Sequence, residues 1–355
     1  MTYRCSGISA SQERQHILVT GGAGYIGSNT VIALLENGYA VTVIDDLSSS
    51  DGSLIPEGAR FVFGCVGDAA LVATILRQTR ACAIMHFAAS ISVAQSLKSP
   101  APYYRNNLSV TIDLARVAAD AGVRAMVFSS TAAVYGEGDG SPLAEDRVLA
   151  PINTYGRSKA MAESALADIA SAGGMALGIL RYFNAAGADP AGRAGQATAD
   201  PHHLIEVATH VATGTRDAIA IFGNDYPTPD GTAVRDYVHV ADIAAAHVLV
   251  MRDILQAPAQ RTYNVGTGRG ASVREVIDAV ARVAGAPIPV RMAPRRHGDP
   301  AILIADSSRL ATELGWRPRY GLDDIVRHAL MWERSRAAYS ATASDARARL
   351  VGIAS

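Results

Sequence analysis

Lysine is almost missing from this chain: of 32 basic residues only Lys98 and Lys159 are lysines, and the rest are arginines. Cysteine is nearly as rare. Cys5, Cys65 and Cys82 are too few and too far apart for a disulfide framework or a zinc site, so a reducing cytoplasm is the expected compartment and no metal is expected. No apolar run approaches the length of a membrane span. The first fifteen residues, MTYRCSGISASQERQ, lack the apolar centre of a secretion signal and read as a polar N-terminal tail. Neither sign of charge is in excess, the net being −1, which leaves no footing for nucleic acid or an anionic membrane as partner. Repeats and low-complexity linkers are absent. What remains, 355 residues with 49% hydrophobic content, is the composition of a soluble globular protein with one large or two ordinary domains.

What is present is an alternation of strand and helix signals. HILVT (16–20) is an apolar run of strand length, followed at once by GGAGYIG, a helical stretch from Tyr25 to about Asn37, a stop at Gly38, and then VTVIDD. The glycines fall as Gly21-x-x-Gly24-x-x-Gly27. Glycine lets a backbone turn tightly against a pyrophosphate, and the following helix N-terminus offers free amides and a favourable dipole. Asp45 closes the second strand, where a carboxylate accepts hydrogen bonds from a ribose diol and repels a 2′-phosphate; no basic residue follows in LSSSDG, so NAD is favoured over NADP. ARFVFG (59–64), AIMHFA (83–88), RAMVFSS (124–130) and MALGILRYF (175–183) read as further buried strands. Segments near 69–79, 103–121 and 155–172 read as helices between and after them. Repeated strand–helix units predict a parallel sheet with right-handed crossovers, and ligands on such sheets sit beyond the carboxyl ends of the strands. The glycine turn, Asp45, Phe87, Ser130, Thr131, Phe183 and Asn184 all fall at such ends.

One of the two lysines lies four residues after a tyrosine, in NTYGRSK (153–159). With thirteen tyrosines and two lysines, about 0.07 such pairs are expected by chance at helix-face spacing. Lysine is a compact point charge and arginine a broad planar fork, so a chain that otherwise uses arginine keeps lysine here for its shape. Free tyrosine titrates near ~10, too high for a base at neutral pH. A neighbouring ammonium and an oxidised nicotinamide ring both favour phenolate. Tyr155, Lys159 and the Thr131 hydroxyl therefore form a plausible acid–base set, against the plainer alternative of a surface Tyr/Lys pair. His202, Glu206 and His210 also share helix spacing, but a mixed polar face explains them better than a metal site. Ser272 and Glu275 have the spacing of a capping box.

GGAGYIGS, HFAA, YYRNN, SSTAAVYGE, YGRSK, RYFNAAGA, AIFGNDYPTPDGTAVRDYVHV and RRHGDPA, spread from about His16 to about Trp332, resemble the UDP-glucose 4-epimerases of the extended short-chain dehydrogenase/reductase family. The resemblance implies a doubly wound parallel Rossmann sheet over 16–185, with 236–268 returning to it. It also implies a smaller C-terminal α/β substrate-binding domain from 186–235 and 269–335, and a tail over 336–355. It implies NAD contacts at Gly21, Gly24, Tyr25, Ile26, Gly27, Asp45, Asp46, Leu47, Ser48, Ser49, Ser50, Cys65, Val66, Phe87, Ala88, Ala89, Ile91, Asn106, Thr131, Tyr155, Lys159 and Phe183. The UDP-sugar would meet Thr131, Tyr155, Asn184, His203, Ala220, Phe222, Arg235, Arg296, Asp299 and Leu303.

By the same resemblance Tyr155 takes the 4′-hydroxyl proton during transient oxidation at C4′, and the hydride returns to the opposite face of the sugar. Several positions depart from the pattern. Thr131 stands for serine, Cys65 for an adenine-binding aspartate, Ile91 for a lysine, Asp46 for asparagine and His203 for asparagine. Leu303 stands where a tyrosine goes with narrow sugar choice and a small residue with N-acetylated sugars. Epimerisation of UDP-N-acetylglucosamine, UDP-xylose or UDP-glucuronate is the alternative, and a nucleotide-sugar dehydratase a further one. Ala132 and Ala133 after the threonine lack the acid and base that dehydration needs. A non-catalytic cofactor-binding protein is the alternative from another class. The family commonly dimerises through helices matching 103–121 and 155–172, so a homodimer is expected.

Overall fold

The structure, a computed structural model, describes residues 14–50, 52–197, 201–296 and 299–351, with side chains to Arg336. Residues 1–13 of the expected N-terminal tail, Cys5 among them, and the final four residues lie outside the described residues. Seven strands form one sheet in the order Gln260–Val265, Ala176–Tyr182, Ala125–Thr131, Ala83–His86, His16–Thr20, Ala40–Asp45, Arg60–Phe63. Every pairing in it is parallel. The aliphatic strands form it because helices cover both faces. Ile17 and Val19 pack with Val31, Leu34, Val248 and Met251 of the helices Tyr25–Glu36 and Val240–Gln256. Leu18, between them, points the other way into Val72, Leu114 and Leu166 of Ala69–Thr79, Val110–Asp120 and Thr154–Gly173. Each such side chain contributes roughly 1.5–3 kcal/mol when fully buried.

The chain steps outward from His16–Thr20 through two strands and then returns to its other flank with Ala83–His86. That reversal opens a crevice at the carboxyl ends of the strands. The expected helix over 103–121 is not uniform: Pro100–Tyr104 is α-helical, Arg105–Ser109 is a π-helical turn, and Val110–Asp120 resumes the α-helix. Such turns are rare and cluster at functional sites.

Of the segment 236–268, only Gln260–Val265 joins the main sheet, beside Ala176–Tyr182, while Val240–Gln256 packs over the sheet. Val234–His239 belongs to a second, small sheet with Asn184–Ala186, Gly270–Ser272 and Ile302–Leu303. Its short partners could not be read from local periodicity. A parallel pair, Ile219–Phe222 with Val290–Ala293, stands beside it. A separate core of Val207, Ile221, Ile277, Val280 and Val326 fills this region. The capping box at Ser272 and Glu275 starts the helix Val273–Ala284. The last helix, Leu322–Val351, runs on past 336, where a tail was expected.

Candidate active site

The glycine turn is tight because backbone crosses backbone there. Gly21 has φ +70°, and a Cβ on it would stand 2.5 Å from the Ala88 nitrogen; one on Gly27 would stand 2.2 Å from the Gly21 carbonyl oxygen. The helix Tyr25–Glu36 that follows has Gly24 as N-cap, no side-chain cap and no acidic residue in its first turn. Its leading amides therefore face the crevice without an internal acceptor, a donor set that fits a pyrophosphate. Tyr25 spends its hydroxyl on the Gly187 carbonyl at 2.7 Å. The Asp45 carboxylate accepts the Ala23 N–H at 3.0 Å and the Leu47 N–H at 2.9 Å. Each oxygen keeps a second lone pair for a ribose hydroxyl. Leu47 adopts φ 55° in the turn that carries Asp46, Ser48, Ser49 and Ser50, with Asp46 accepting the Ser48 N–H at 3.0 Å.

Beyond the strand Ala83–His86, the amide of Phe87 donates to Thr20 and its ring lies 4.7 Å from that of His247. Ala88 and Ala89 continue this wall. Asn106, on the π-helical turn, donates to the Ser90 hydroxyl at 3.1 Å. Its neighbour Asn107, which sequence reading missed, is buried and holds both the amide and the carbonyl of Ser90 (2.8 and 2.9 Å) and the Ser158 hydroxyl (3.1 Å). The doubled asparagine in YYRNN was its signal. Val66 is buried, whereas Cys65 is exposed and so is Ile91.

Tyr155 and Lys159 lie on the helix Thr154–Gly173, whose N-cap Asn153 accepts the Gly156 N–H at 2.8 Å. Lys159 is 2% exposed. Its Nζ donates to the Ser129 carbonyl at 2.9 Å and sits 4.6 Å from the centroid of the Phe128 ring. Burial pulls its pKa down to about 7, while the Glu163 carboxylate one turn on acts upward. Burial pushes the Tyr155 phenol up to about 12; a hydrogen bond with Thr131 works downward and nearby Tyr103 upward. In the protein alone burial outweighs the Thr131 hydrogen bond, and the lowering expected from Lys159 does not accompany it. Thr131 Oγ1 accepts the Ala133 N–H at 3.2 Å, which leaves its hydroxyl proton free for the Tyr155 oxygen. His86, also close to Lys159, is bracketed by the Thr20 and Thr111 hydroxyls at 2.7 and 2.9 Å. Burial, and next Lys159, bring its pKa to about 3, so the ring is neutral.

The residues expected to meet the UDP-sugar come from separate segments. Arg235 forms an ion pair with Asp299, and its other guanidinium nitrogen donates to the Val234 carbonyl at 2.8 Å. Leu303 pairs in register with Arg235 and packs on the cluster of Phe183, Tyr135 and Leu143. Arg296 stacks 3.9 Å over Phe222, and Ala220 lies two residues before it on the same strand. Asn184 pairs in register with Tyr237. Tyr237, buried and acted on by both Arg235 and Asp299, is another residue that sequence reading missed; its place two positions after Arg235 on one strand was the signal. His203, at the N-cap of Leu204–Ala212, stacks on His202 at 4.4 Å and is lowered to about 4 by burial and then by that neighbour. His210 faces Glu333 at 3.3 Å. Among the described residues no group of three or more His, Cys, Asp or Glu could hold a metal ion.

Residues 17–266 match the NAD dependent epimerase/dehydratase family. A UDP-glucose 4-epimerase of Azospirillum brasilense is 49% identical over 320 residues, 90% of this chain and 92% of the relative. A UDP-glucose-4-epimerase structure from Stenotrophomonas maltophila, with bound NAD and formylated UDP-arabinopyranose, superposes with a TM-score of 0.89 at 39% identity, covering 92% of this chain and 100% of that one. A UDP-Glc/GlcNAc 4-epimerase from Campylobacter jejuni gives a TM-score of 0.78 at 41% identity, covering 90% and 99%. With its glycine turn and Tyr/Lys helix inside the matched residues, the chain belongs to the NAD dependent epimerase/dehydratase family.

Proposed function

We infer that this chain is an NAD-dependent isomerase that interconverts UDP-glucose and UDP-galactose by inverting the C4′ hydroxyl. The observation that carries this is the meeting of Tyr155 with Thr131 at the end of the strand Ala125–Thr131, with Lys159 anchored on Ser129 one turn along the helix. Bound NAD supplies the hydride acceptor and donor for C4′ and, through its positive nicotinamide ring, the field that favours phenolate. The first-turn amides at Tyr25 and Ile26 hold the pyrophosphate, and Asp45 holds the adenosine ribose. Tyr155 takes the 4′-hydroxyl proton and later returns it, while Thr131 donates to the phenolate oxygen and keeps the proton route fixed. Lys159 would bind the nicotinamide ribose with the Nζ protons that the Ser129 carbonyl leaves free. Arg235 and Arg296 clamp the diphosphate with charge-assisted hydrogen bonds, so the hexose can turn over within the pocket without leaving it.

Ala132 and Ala133 follow Thr131 in a single 3-10 turn. Neither can protonate a C6 hydroxyl or take a C5 proton, which speaks against dehydration. Residues 16–185 carry the cofactor site, and 186–235 with 269–335 carry most of the sugar-nucleotide site. The exposed side of the helices around 103–121 and 155–172, with Met161 45% exposed on the second, is the surface we assign to a homodimer. No helix among the described residues is long and apolar enough to cross a membrane. The proposed compartment is the cytoplasm.

The test is to incubate purified protein with UDP-galactose, UDP-N-acetylglucosamine, UDP-xylose and UDP-glucuronate and follow C4′ inversion by proton NMR. UDP-glucose formed from UDP-galactose is the expected result. Bound NAD with no turnover of any sugar would instead identify a non-catalytic binding protein.

A further inference from the structure

The buried polar groups directly beneath the catalytic set form one connected array. Glu163 lies one helical turn after Lys159 on the same buried face, and it is 4% exposed. Its carboxylate accepts the Ser130 hydroxyl and a forked pair of bonds from Arg181, at 3.1 Å from Nε and 2.6 Å from Nη2. Ser130 and Arg181 face each other in register on adjacent strands. Arg181 also donates to the Tyr135 hydroxyl and the Glu145 carbonyl, both at 3.1 Å. Tyr135 donates to Asn264 Oδ1 at 2.6 Å, and the Asn264 amide donates to Glu145 at 2.8 Å. Thus one helix grips two successive residues of the catalytic strand, Ser129 through Lys159 and Ser130 through Glu163, just before Thr131.

A salt bridge this deep is a poor device for stability alone, since desolvating both ions costs several kcal/mol and apolar replacements often do as well. Its position has a more specific use. We propose that Glu163 is a positioning residue for the reaction: it fixes the end of the catalytic strand against the helix and places a carboxylate one helical turn from Lys159. The charged and titratable groups around Lys159 are consistent with that role. Tyr155 is on its own helix, and His86 from the neighbouring strand is neutral. Arg181 is a cation matched by Glu163, Tyr182 is held protonated by burial, and Glu145 lies beyond Arg181. Glu163 is the group that raises Lys159 against the lowering by burial.

This inference rests on the epimerase reading, so the parent's turnover of UDP-galactose is measured first; no turnover there defeats that reading and not this one. In the holoenzyme, activity needs the ammonium and is lost as pH rises through the lysine's pKa. Glu163→Gln removes the upward pull and leaves Arg181 unbalanced, both of which lower that pKa. The alkaline limb of the kcat–pH profile is expected to move to lower pH by about one unit, with kcat at neutral pH down roughly tenfold and KM within twofold. Glu163→Asp keeps the charge with shorter reach. It should keep the limb where it is and lose less kcat, the rescue that a merely structural role would not give. Ser130→Ala leaves every charge in place and should lower kcat about threefold with an unmoved limb. A folded Glu163→Gln protein with an unshifted limb overturns the proposal. If that variant fails to fold, unchanged kcat in both Glu163→Asp and Ser130→Ala overturns it.

Discussion

The two ends of the crevice are built by opposite means. At the end we assign to the cofactor the groups are largely backbone, amides of the first helical turn and a glycine turn where a Cβ on Gly21 would stand 2.5 Å from neighbouring backbone, joined by the Asp45 carboxylate tied to two backbone amides. At the end we assign to the sugar nucleotide they are long side chains parked on partners of their own, Arg235 on Asp299 and Arg296 over Phe222. A backbone site has one shape and fails as a whole. A side-chain site fails one contact at a time. The contrast separates residues whose loss should stop everything from residues whose loss should only alter preference.

Tyr155→Phe, at the junction of the two ends, should have the largest effect. Removing the phenol is expected to cut kcat by roughly two to four orders of magnitude, the span of a general base, while NAD stays bound. Steady-state assay and cofactor content after release check this, and activity within tenfold of the parent would exclude Tyr155 as the base.

Gly27→Ala challenges the backbone end. Its Cβ would meet the Gly21 carbonyl oxygen at 2.2 Å, so the turn and helix must part. A loss of about 1–3 kcal/mol in stability is expected, with bound NAD falling in parallel. Denaturation in urea and the nucleotide content of the purified variant measure the two; full NAD occupancy would mean the turn is softer than its packing.

Asp45→Ala should lower NAD affinity about tenfold and leave NADP nearly unchanged, relaxing the preference, because it removes the ribose acceptor and the repulsion of a 2′-phosphate together. Titration of cofactor-free protein with both dinucleotides decides it. Tighter NADP binding by the parent would refute the ribose assignment.

Leu303→Tyr is the smallest change and belongs to the side-chain end. Leucine leaves room beside the C2′ substituent, so the parent should act on UDP-glucose and UDP-galactose efficiently and on UDP-N-acetylglucosamine more weakly. Tyrosine should abolish the second activity and spare the first, a change of roughly 1–3 kcal/mol in fit. If the tyrosine variant keeps the acetylated substrate, Leu303 does not gate the pocket.

The same division explains what could be read in advance. The cofactor end was legible because its signals are local: three glycines, an aspartate at a strand end and a lysine in a chain of arginines. Six of the seven strands were recognisable as apolar runs within a residue or two of their observed ends. The π-helical turn was not, since YYRNN carries no periodicity that distinguishes it from α-helix. Nor was the place of Val234–His239, whose strand partners lie up to about seventy residues away along the chain and are themselves only two or three residues long. The upward shift of Tyr155 was not legible either, since it comes first from burial, which only the folded chain sets. The carbonyl that holds Lys159 belongs to Ser129, thirty residues earlier, and only the folded sheet brings the two together.

The late arrival of the strand Gln260–Val265 at the outer edge of the main sheet bears on how the chain is made. Until about residue 265 leaves the ribosome, Ala176–Tyr182 has nothing on its far side and offers a row of unpaired amides and carbonyls. The nucleotide-binding half cannot be sealed by its own residues, and close to eighty residues of other structure must be synthesised first. At about 5–20 residues per second that is a wait of several seconds, long on the scale of domain folding, with a sticky edge open throughout. Chains cut short between residues 190 and 259 should therefore be the aggregating species during expression, and a chaperone that covers sheet edges should raise the yield of the full-length protein.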